Sequence, residues 1–359
     1  MEEEFLLVDP GTGEPVARNR EVAAHAERHG IELQLELTSC QVETTSPVAH
    51  GAEELRSALA ALRRGAAQAA SDGGAQLLAV ALPPSVPHHF PLTDTPRYRE
   101  IGERFGMIAH EQGICGCHVH VAVPDRETAI AVSNRLRPWL PTLLALSANS
   151  AVYRSADTGY ASWRSVLWAR WPTAGPPPHF ESVADFDALV EIMRASGAAL
   201  DDGMVYWDVR PSAKFPTVEV RVADVPATVG DTVLLAALVR ALVMTALDDI
   251  EHDRPVKPLS GHALTAAYWR AARDGLSGSA LDLVDSHALV PAPQMLELML
   301  TAVTPALQAV GDYDTVCAEL RRVRADGNGA SRALAAWRRR HAVADVVAQV
   351  ARATLAGID

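Results

Sequence analysis

The 359-residue chain has no stretch approaching the roughly 18 uncharged apolar residues that a membrane-spanning helix requires. Its first residues, Met1-Glu2-Glu3-Glu4, are acidic where an export signal is basic, so a cytoplasmic protein is expected. Its 4 cysteines are too few for the disulfide framework of a small secreted domain, and reduced thiols are the expectation. Positive charge is scarce too. The net charge of -12 leaves no basic stripe for a nucleic acid or an anionic membrane, and Arg338-Arg339-Arg340 falls in a helical pattern, as a solvated face would. The expected partners are small molecules, with no nucleic acid and no membrane; homo-oligomerisation is left open. The common nucleotide and hydrolase signatures are missing as well: no GxxxxGK[ST] loop, no GxGxxG after a strand, no GxSxG and no HExxH. Any phosphate bound here must be held by metals and side chains, not by a glycine cradle.

What remains is the composition of a soluble globular protein, 48% hydrophobic and 21% charged, long enough to bury one large core or two ordinary ones. Alternation and apolar runs predict strands at 4–8, 31–35, 40–44, 76–80, 117–123, 204–209 and 217–222. Spaced apolar residues among good helix formers predict helices at 53–70, 97–111, 127–148, 183–199 and 232–249, and only helix thereafter. Residues 1–225 thus read as mixed strand and helix and residues 226–359 as helical. Short turns such as Asp9-Pro10-Gly11-Thr12-Gly13 favour antiparallel pairing, and the fold class is α+β. The Pro-rich loop at 175–178 and the turn-rich stretch 148–159 are long enough to be lid or substrate loops. His88-His89, beside prolines, reads as surface.

Several of these strands carry acids where burial would be costly. The period of two puts Glu2 and Glu4 on one face of the first strand and Glu3 on the other. Glu43 interrupts another strand-like run, with Glu36 seven residues earlier at the end of its neighbour. Glu219 and Arg221 share one face while Val218, Val220 and Val222 fill the other. Any one of these strands is unremarkable with that face in water. Together they suggest carboxylates gathered in one cavity, which would repel and protonate unless hard cations such as Mg²⁺ or Mn²⁺ neutralise them. An arginine facing such a cavity suits polyphosphate chemistry.

The stretch Cys115-Gly116-Cys117-His118-Val119-His120-Val121 first suggests a soft-metal site, and a zinc hydrolase is one reading. Adjacent residues of a strand point to opposite faces, however, so Cys117 and His118 cannot easily share an ion, whereas His118 and His120 can. Cys115 and Cys117 are then the packing side. Tyr160, Trp163, Trp168 and Trp171 sit in the long central segment, where pocket lining and core filling are both open.

In order and spacing, Glu2-Glu3-Glu4-Phe5, Gln41-Val42-Glu43-Thr44-Thr45-Ser46-Pro47, Cys117-His118-Val119-His120-Val121, Asn149-Ser150-Ala151, Thr158-Gly159-Tyr160-Ala161-Ser162-Trp163-Arg164, Trp207-Asp208-Val209-Arg210-Pro211 and Thr217-Val218-Glu219-Val220-Arg221 resemble the glutamate-cysteine ligase type 2 family, also called carboxylate-amine ligases. The likeness runs from residue 2 to about residue 345 and includes Asp326-Gly327-Asn328-Gly329-Ala330. One departure is that Met1 stands directly ahead of Glu2, where family members carry several residues before the first acid. The resemblance implies a single catalytic domain over residues 1–359, similar to glutamine synthetase, with a curved antiparallel sheet forming a funnel flanked by helices. It implies ATP as co-substrate and two or three Mg²⁺ (or Mn²⁺) ions held by Glu2, Glu4, Glu43, His118 and Glu219, with Glu36 as a further acid. Arg221 would contact the transferring phosphate. Arg164 and Arg210 would grip phosphate or a substrate carboxylate, and His120, Tyr160 and Trp163 would line the ATP and substrate site.

The activity so implied is an ATP-dependent ligation of a carboxylate to an amine through an acyl phosphate. By analogy with the family, L-glutamate would react through its γ-carboxyl with an amino acid such as L-cysteine. A ligase of the same mechanism acting on another acid or amine is the first alternative, and a non-catalytic binding protein retaining the fold is the second.

Overall fold

The computed structural model describes residues 1–87, 89–111 and 113–358. Strand β1 (Glu2–Val8) is its axis. The first half alternates, with Glu3 buried and Glu2 and Glu4 turned to the opposite face, whereas Phe5 to Val8 are all buried. Around it run β2 (Leu33–Leu35), β3 (Gln41–Thr45), β4 (Gln76–Leu78) and β5 (Gly116–Ala122). A small hairpin, β6 (Val152–Tyr153) with β7 (Ala156–Asp157), precedes β8 (Val209–Pro211) and β9 (Thr217–Asp224). The main sheet has the order β2-β3-β1-β5-β9-β8, with β4 on the far half of β1, and each pairing is antiparallel. β5 pairs with β1 only at Glu2 and Glu3, and β4 takes over from Leu6 to Val8. A bulge adds curvature: the pairs Cys117–Ala223 and Val119–Val220 leave an extra residue on β9. This is an α+β fold with a curved antiparallel sheet and a mostly helical C-terminal region.

Helices cover the convex apolar face. Cys117, Val119, Val218, Val220 and Val222 pack with the helix Val229–Glu251, which is buried along most of its length. Phe5 to Val8 pack instead with the helix Ala52–Asp72 and with the C-terminal helices through Trp337, Val346 and Val350. A charge lies within this apolar layer. Arg63 of the helix Ala52–Asp72 is fully buried against Glu3, and its remaining donors reach the carbonyls of Pro226, Ala227 and Thr354 and the hydroxyl of Thr232. The carbonyl of Met1 accepts from the amide of Ser46, so the first residue of β1 is held on both flanks.

The Asp326–Ala330 stretch ties the C-terminal helices to the centre. Asn328 caps the helix Gly329–Arg340 through Ser331 and donates to the carbonyls of Ala145 and Leu146. Gly329 is needed for close approach, because a Cβ there would fall 2.1 Å from Oδ1 of Asn149.

Several boundaries differ from expectation. The strand expected at 204–209 begins only at Val209. Met204, Val205 and Trp207 are buried as a strand would be, but the backbone there bonds to loops: Asp208 N donates to Gly175 O and Thr173 Oγ1 to Met204 O. The helix expected at 97–111 breaks at Gly106, where φ is +54°. That at 127–148 is divided by a short tight turn at Arg137–Trp139, where Pro138 and Pro141 each open a new segment. The tail is not wholly helical, since β10 (Ser279–Leu281) and β11 (Leu289–Pro291) form a hairpin. The turn after β1 returns through a single bridge, Val8 with Pro15, into a helix, Asn19–Arg28, rather than into a strand. Of the His88-His89 pair, His88 lies outside the described residues, and the ring of His89 meets that of His110 edge-on at 6.2 Å.

Candidate active site

The uncovered face of the sheet collects the polar residues of five strands. Register does this directly: Glu2 sits opposite His118, Glu4 opposite Glu43, and Glu219 opposite both His120 and Arg210. Glu36, just past β2, joins the same side. These residues line a cavity of about 640 Å³.

The contacts are short and linked. Nδ1 of His118 is 2.9 Å from Oε2 of Glu2, and Nε2 of His120 is 3.6 Å from Oε1 of Glu2 and 4.0 Å from Oε1 of Glu219. Glu219 is gripped from both sides, by Nε of Arg210 at 3.0 Å and by Nη1 of Arg221. The amide of Gly116 donates to Glu4 at 2.6 Å. Gly116 faces the cavity with no side chain for a reason: a Cβ there would lie 2.5 Å from Nη2 of Arg164.

Arg164 is placed by motifs whose purpose is not evident from sequence. Asp224, fully buried, accepts hydrogen bonds from Ser150 Oγ, Ser162 Oγ and the amide of Asn149, and Ser150 Oγ in turn accepts from the amide of Arg164. Nη1 of Arg164 is 3.8 Å from Oδ1 of Asp224. The serines and asparagine thus form a buried socket under the guanidinium.

The electrostatics divide the acids into two sets. Burial would push up Glu219, but the charges of Arg221 and Arg210 outweigh it and hold the carboxyl well below its usual range. Glu2 is likewise held low, the hydrogen bond with His118 and the proximity of His118 and His120 overcoming its burial. Burial and the neighbouring charge of Glu4 push Glu36 up to about 8. Burial and the charges of Glu36, Glu2 and Glu4 push Glu43 up as well. Burial and Arg221 lower His118, favouring the neutral imidazole that ligates metals.

Glu36 and Glu43 are therefore acids short of countercharge, which a divalent cation would supply. Three overlapping sets of donor atoms lie close enough to share an ion: Glu2, His120 and Glu219; Glu2, Glu43 and His118; Glu4, Glu36 and Glu43. Carboxylate oxygens with an occasional imidazole suit a hard cation, and Nε2 of His120 is buried without a hydrogen-bond partner. The residues present fit such ions. The thiols do not take part. Cys115 and Cys117 are fully buried, burial pushes both well up, and no cysteine is in a cation-sized cluster among the described residues.

The family model for glutamate-cysteine ligase family 2 matches residues 1–349. The chain belongs to this family. It is 65% identical over 356 residues, 99% of this chain and 98% of the other, to a protein of Mycobacterium sp. (strain KMS) whose name assigns it to glutamate–cysteine ligase 2-2. It is 62% identical, with the same coverage, to one of Mycolicibacterium smegmatis named for glutamate–cysteine ligase 2-3. Among solved structures it resembles a glutamate–cysteine ligase from Francisella tularensis in complex with AMP, with a TM-score of 0.63 over 99% of this chain and 88% of that one. A bifunctional glutathione synthetase from Pasteurella multocida gives a TM-score of 0.66, this chain spanning 52% of its length. Both are 15% identical and show the shared fold. Family membership makes this chain an ATP-dependent ligase. Among its described residues, no helix is long and apolar enough to cross a membrane.

Within this family member, Glu2, Glu4, Glu36, Glu43, His118, His120, Arg164, Arg210, Glu219 and Arg221 all reach the one cavity. Tyr160 and Trp163 do not. Their rings stack 5.0 Å apart, with Trp269 Nε1 donating to the Tyr160 hydroxyl and Arg273 over its ring, away from the cavity wall. Trp168, the last residue of the helix Trp163–Trp168, and Trp171, just past it, line the cavity instead, with Tyr98, Arg97, Tyr206 and Lys214. Those four come from a helix start and from loops, where no strand alternation marks a face.

Proposed function

We propose that this cavity joins a carboxylate to an amine in two steps at the expense of ATP, within one catalytic domain spanning the chain. A carboxylate oxygen of the acid attacks the γ-phosphorus of ATP, and the bond to the β–γ bridging oxygen breaks to release ADP. The amine lone pair then attacks the acyl carbon, the carbon–oxygen bond to phosphate breaks, and the nitrogen loses a proton as the amide forms. The leading acid is L-glutamate, through its γ-carboxyl. An amino acid such as L-cysteine is the amine the family name suggests, and other acids or amines are accommodated by the same machinery.

In this reading Glu2, Glu4, Glu36, Glu43, His118 and Glu219 hold two or three Mg²⁺ or Mn²⁺ ions. Bound there, the ions neutralise charge between triphosphate and carboxylate. Arg221 meets the equatorial oxygens of the phosphoryl group in transfer, and Glu219 keeps it aimed. Arg210 and Arg164 hold phosphate or the substrate's other carboxylate, the first with its guanidinium bonded to the carbonyl of Val205 and the second with Nη1 beside Asp224 and the carbonyl of Val222.

The observation that carries the proposal is Glu219 shared between two arginines and a donor set for a cation. Substituting Glu219→Gln removes charge and little volume. ADP release should fall below detection while circular dichroism shows the fold retained, and near-normal turnover would sink the assignment. Screening acid and amine pairs with ATP, with mass spectrometry of the product, identifies the amide.

A further inference from the structure

The cavity has two chemically different ends. Beside Glu219 stand Arg210, Arg221 and Lys214, all cationic. Beyond Glu36 the wall is mostly apolar and aromatic, with Tyr98, Ile101, Ile114, Trp168, Trp171 and Tyr206, and two guanidinium groups lie over its edges, Arg164 5.7 Å from the Trp168 ring and Arg97 5.8 Å from the Tyr98 ring. The rings form a continuous surface, with centroids 4.8 Å apart for Trp168 and Tyr206, 6.2 Å for Trp168 and Trp171, and 5.6 Å for Trp171 and Tyr206.

We infer that this wall is the side-chain pocket for the amine substrate, and that it selects an amine carrying a flat apolar ring over the small thiol of cysteine. The inference rests on the ligase reading above and names the substrate class that reading leaves open.

Charge assigns the ends. A triphosphate is drawn to Arg210, Arg221 and Lys214, which fixes the nucleotide beside Glu219. The opposite end pairs acids with aromatic surface. The Tyr98 hydroxyl donates to the carbonyl of Leu35, the residue before Glu36, so the ring wall begins where the carboxylates of Glu36, Glu43 and Glu4 gather. Anionic groups beside apolar rings suit an ammonium group with an apolar body. A cysteine side chain would leave most of that surface uncovered, whereas a planar ring can stack on Trp168 and Tyr206.

A polar feature adds to this. Trp171 is only 2% exposed, yet its indole N–H has no hydrogen-bond partner. Buried donors are rarely left so in a finished site, and an acceptor atom on the substrate ring would satisfy it. At the rim, Arg97 and Asp201 form a bidentate pair that joins the helix Pro96–Phe105 to the turn at Asp202–Met204 and bounds the pocket on its open side.

The test supplies the full-length protein with Mg²⁺, ATP and L-glutamate, and compares L-cysteine, L-alanine, L-phenylalanine, L-tryptophan and phenethylamine by ADP release and product mass. Ring-bearing amines should exceed cysteine at least about tenfold in kcat/KM, the scale of one good aromatic contact. Trp168→Ala should raise the KM for the ring amine about tenfold, well beyond any change in the KM for ATP that follows from loosening Arg164, which lies 5.7 Å from the Trp168 ring. Trp171→Phe, which keeps a ring and removes the N–H, should leave the KM for phenethylamine unmoved, because that ring carries no acceptor, and should raise the KM only for an amine whose ring does. Calorimetric binding of phenethylamine without ATP, weakened in Trp168→Ala, gives a readout independent of turnover. Cysteine as the preferred amine overturns the inference and leaves the ligase reading standing. A Trp168→Ala effect on the KM for ATP alone also overturns it, making the wall the adenine pocket. ATP cleavage with no amine overturns both.

Discussion

Arg63 reaches Glu3 with two parallel hydrogen bonds, Nε to Oε2 at 3.1 Å and Nη2 to Oε1 at 2.6 Å, and neither side chain touches solvent. Glu3 is the residue between Glu2 and Glu4, so this buried pair holds β1 from behind exactly where its other face carries the cavity acids. Breaking a buried pair leaves an uncompensated charge, at about 3–5 kcal/mol. Arg63→Met should lose stability of that order in urea unfolding, and Glu3→Gln added to it should recover part of the loss. A change under about 0.5 kcal/mol would mark the pair as incidental.

Metal addition should stabilise the folded protein. Glu36 is pushed up by burial and by Glu4, and Glu43 by burial and by Glu36, so a bound cation would remove a repulsion among these acids. Mg²⁺ at a hundred times its dissociation constant should add about 2.7 kcal/mol, read as a rise in melting temperature that EDTA reverses. In Glu43→Gln most of that rise should vanish. An equal rise in the variant would place the ion elsewhere.

The acids were legible in the sequence because strand period is rigid: once Glu2, Glu4, Glu43, His118 and Glu219 are assigned to strands, alternation puts each on a definite face, and register does the rest. Arg63 was not, since one arginine in an Ala-rich helix looks like any surface charge until the helix is docked. Tyr98 and Tyr206 escaped for a related reason: they reach the cavity from a helix start and a loop whose approach no local pattern encodes, and for Trp168 and Trp171 the sequence left pocket lining and core filling both open. Tyr160 and Trp163 were expected there, but Tyr160 lies in the turn before the helix Trp163–Trp168 and meets Trp269 and Arg273, and Trp163 packs on Tyr160.

Gly116 offers a test of geometry separate from stability. Its backbone is ordinary strand, so alanine brings no conformational strain, but the added Cβ would meet Arg164 at 2.5 Å and displace the guanidinium. A displacement of about 1 Å in a positioning group can cost on the order of a hundredfold in rate. Gly116→Ala should therefore lose roughly that in kcat/KM for ADP release while melting near the parent. Unchanged turnover would mean that Arg164 grips nothing in the reaction.

Asp231 ties acid stability to the joint between the central helix and the tail. It sits in the first turn of the helix Val229–Glu251, closes a capping box with Thr228, and receives Arg322 Nη2 at 2.6 Å and Arg332 Nη2 at 2.5 Å. Burial alone would push its carboxyl up, but the charges of Arg332 and Arg322 and their hydrogen bonds hold it below the ordinary value of 3.8. A depressed carboxyl stabilises the fold at every pH above its unfolded value, and that contribution disappears as pH falls through the lower folded value. Asp231→Asn should cost about 2 kcal/mol at neutral pH. It should also flatten the acid limb, so that parent and variant converge as the pH falls below the ordinary aspartate range in urea midpoints measured across the range. A constant gap down to the lowest pH would show that the carboxylate charge is not what joins these helices.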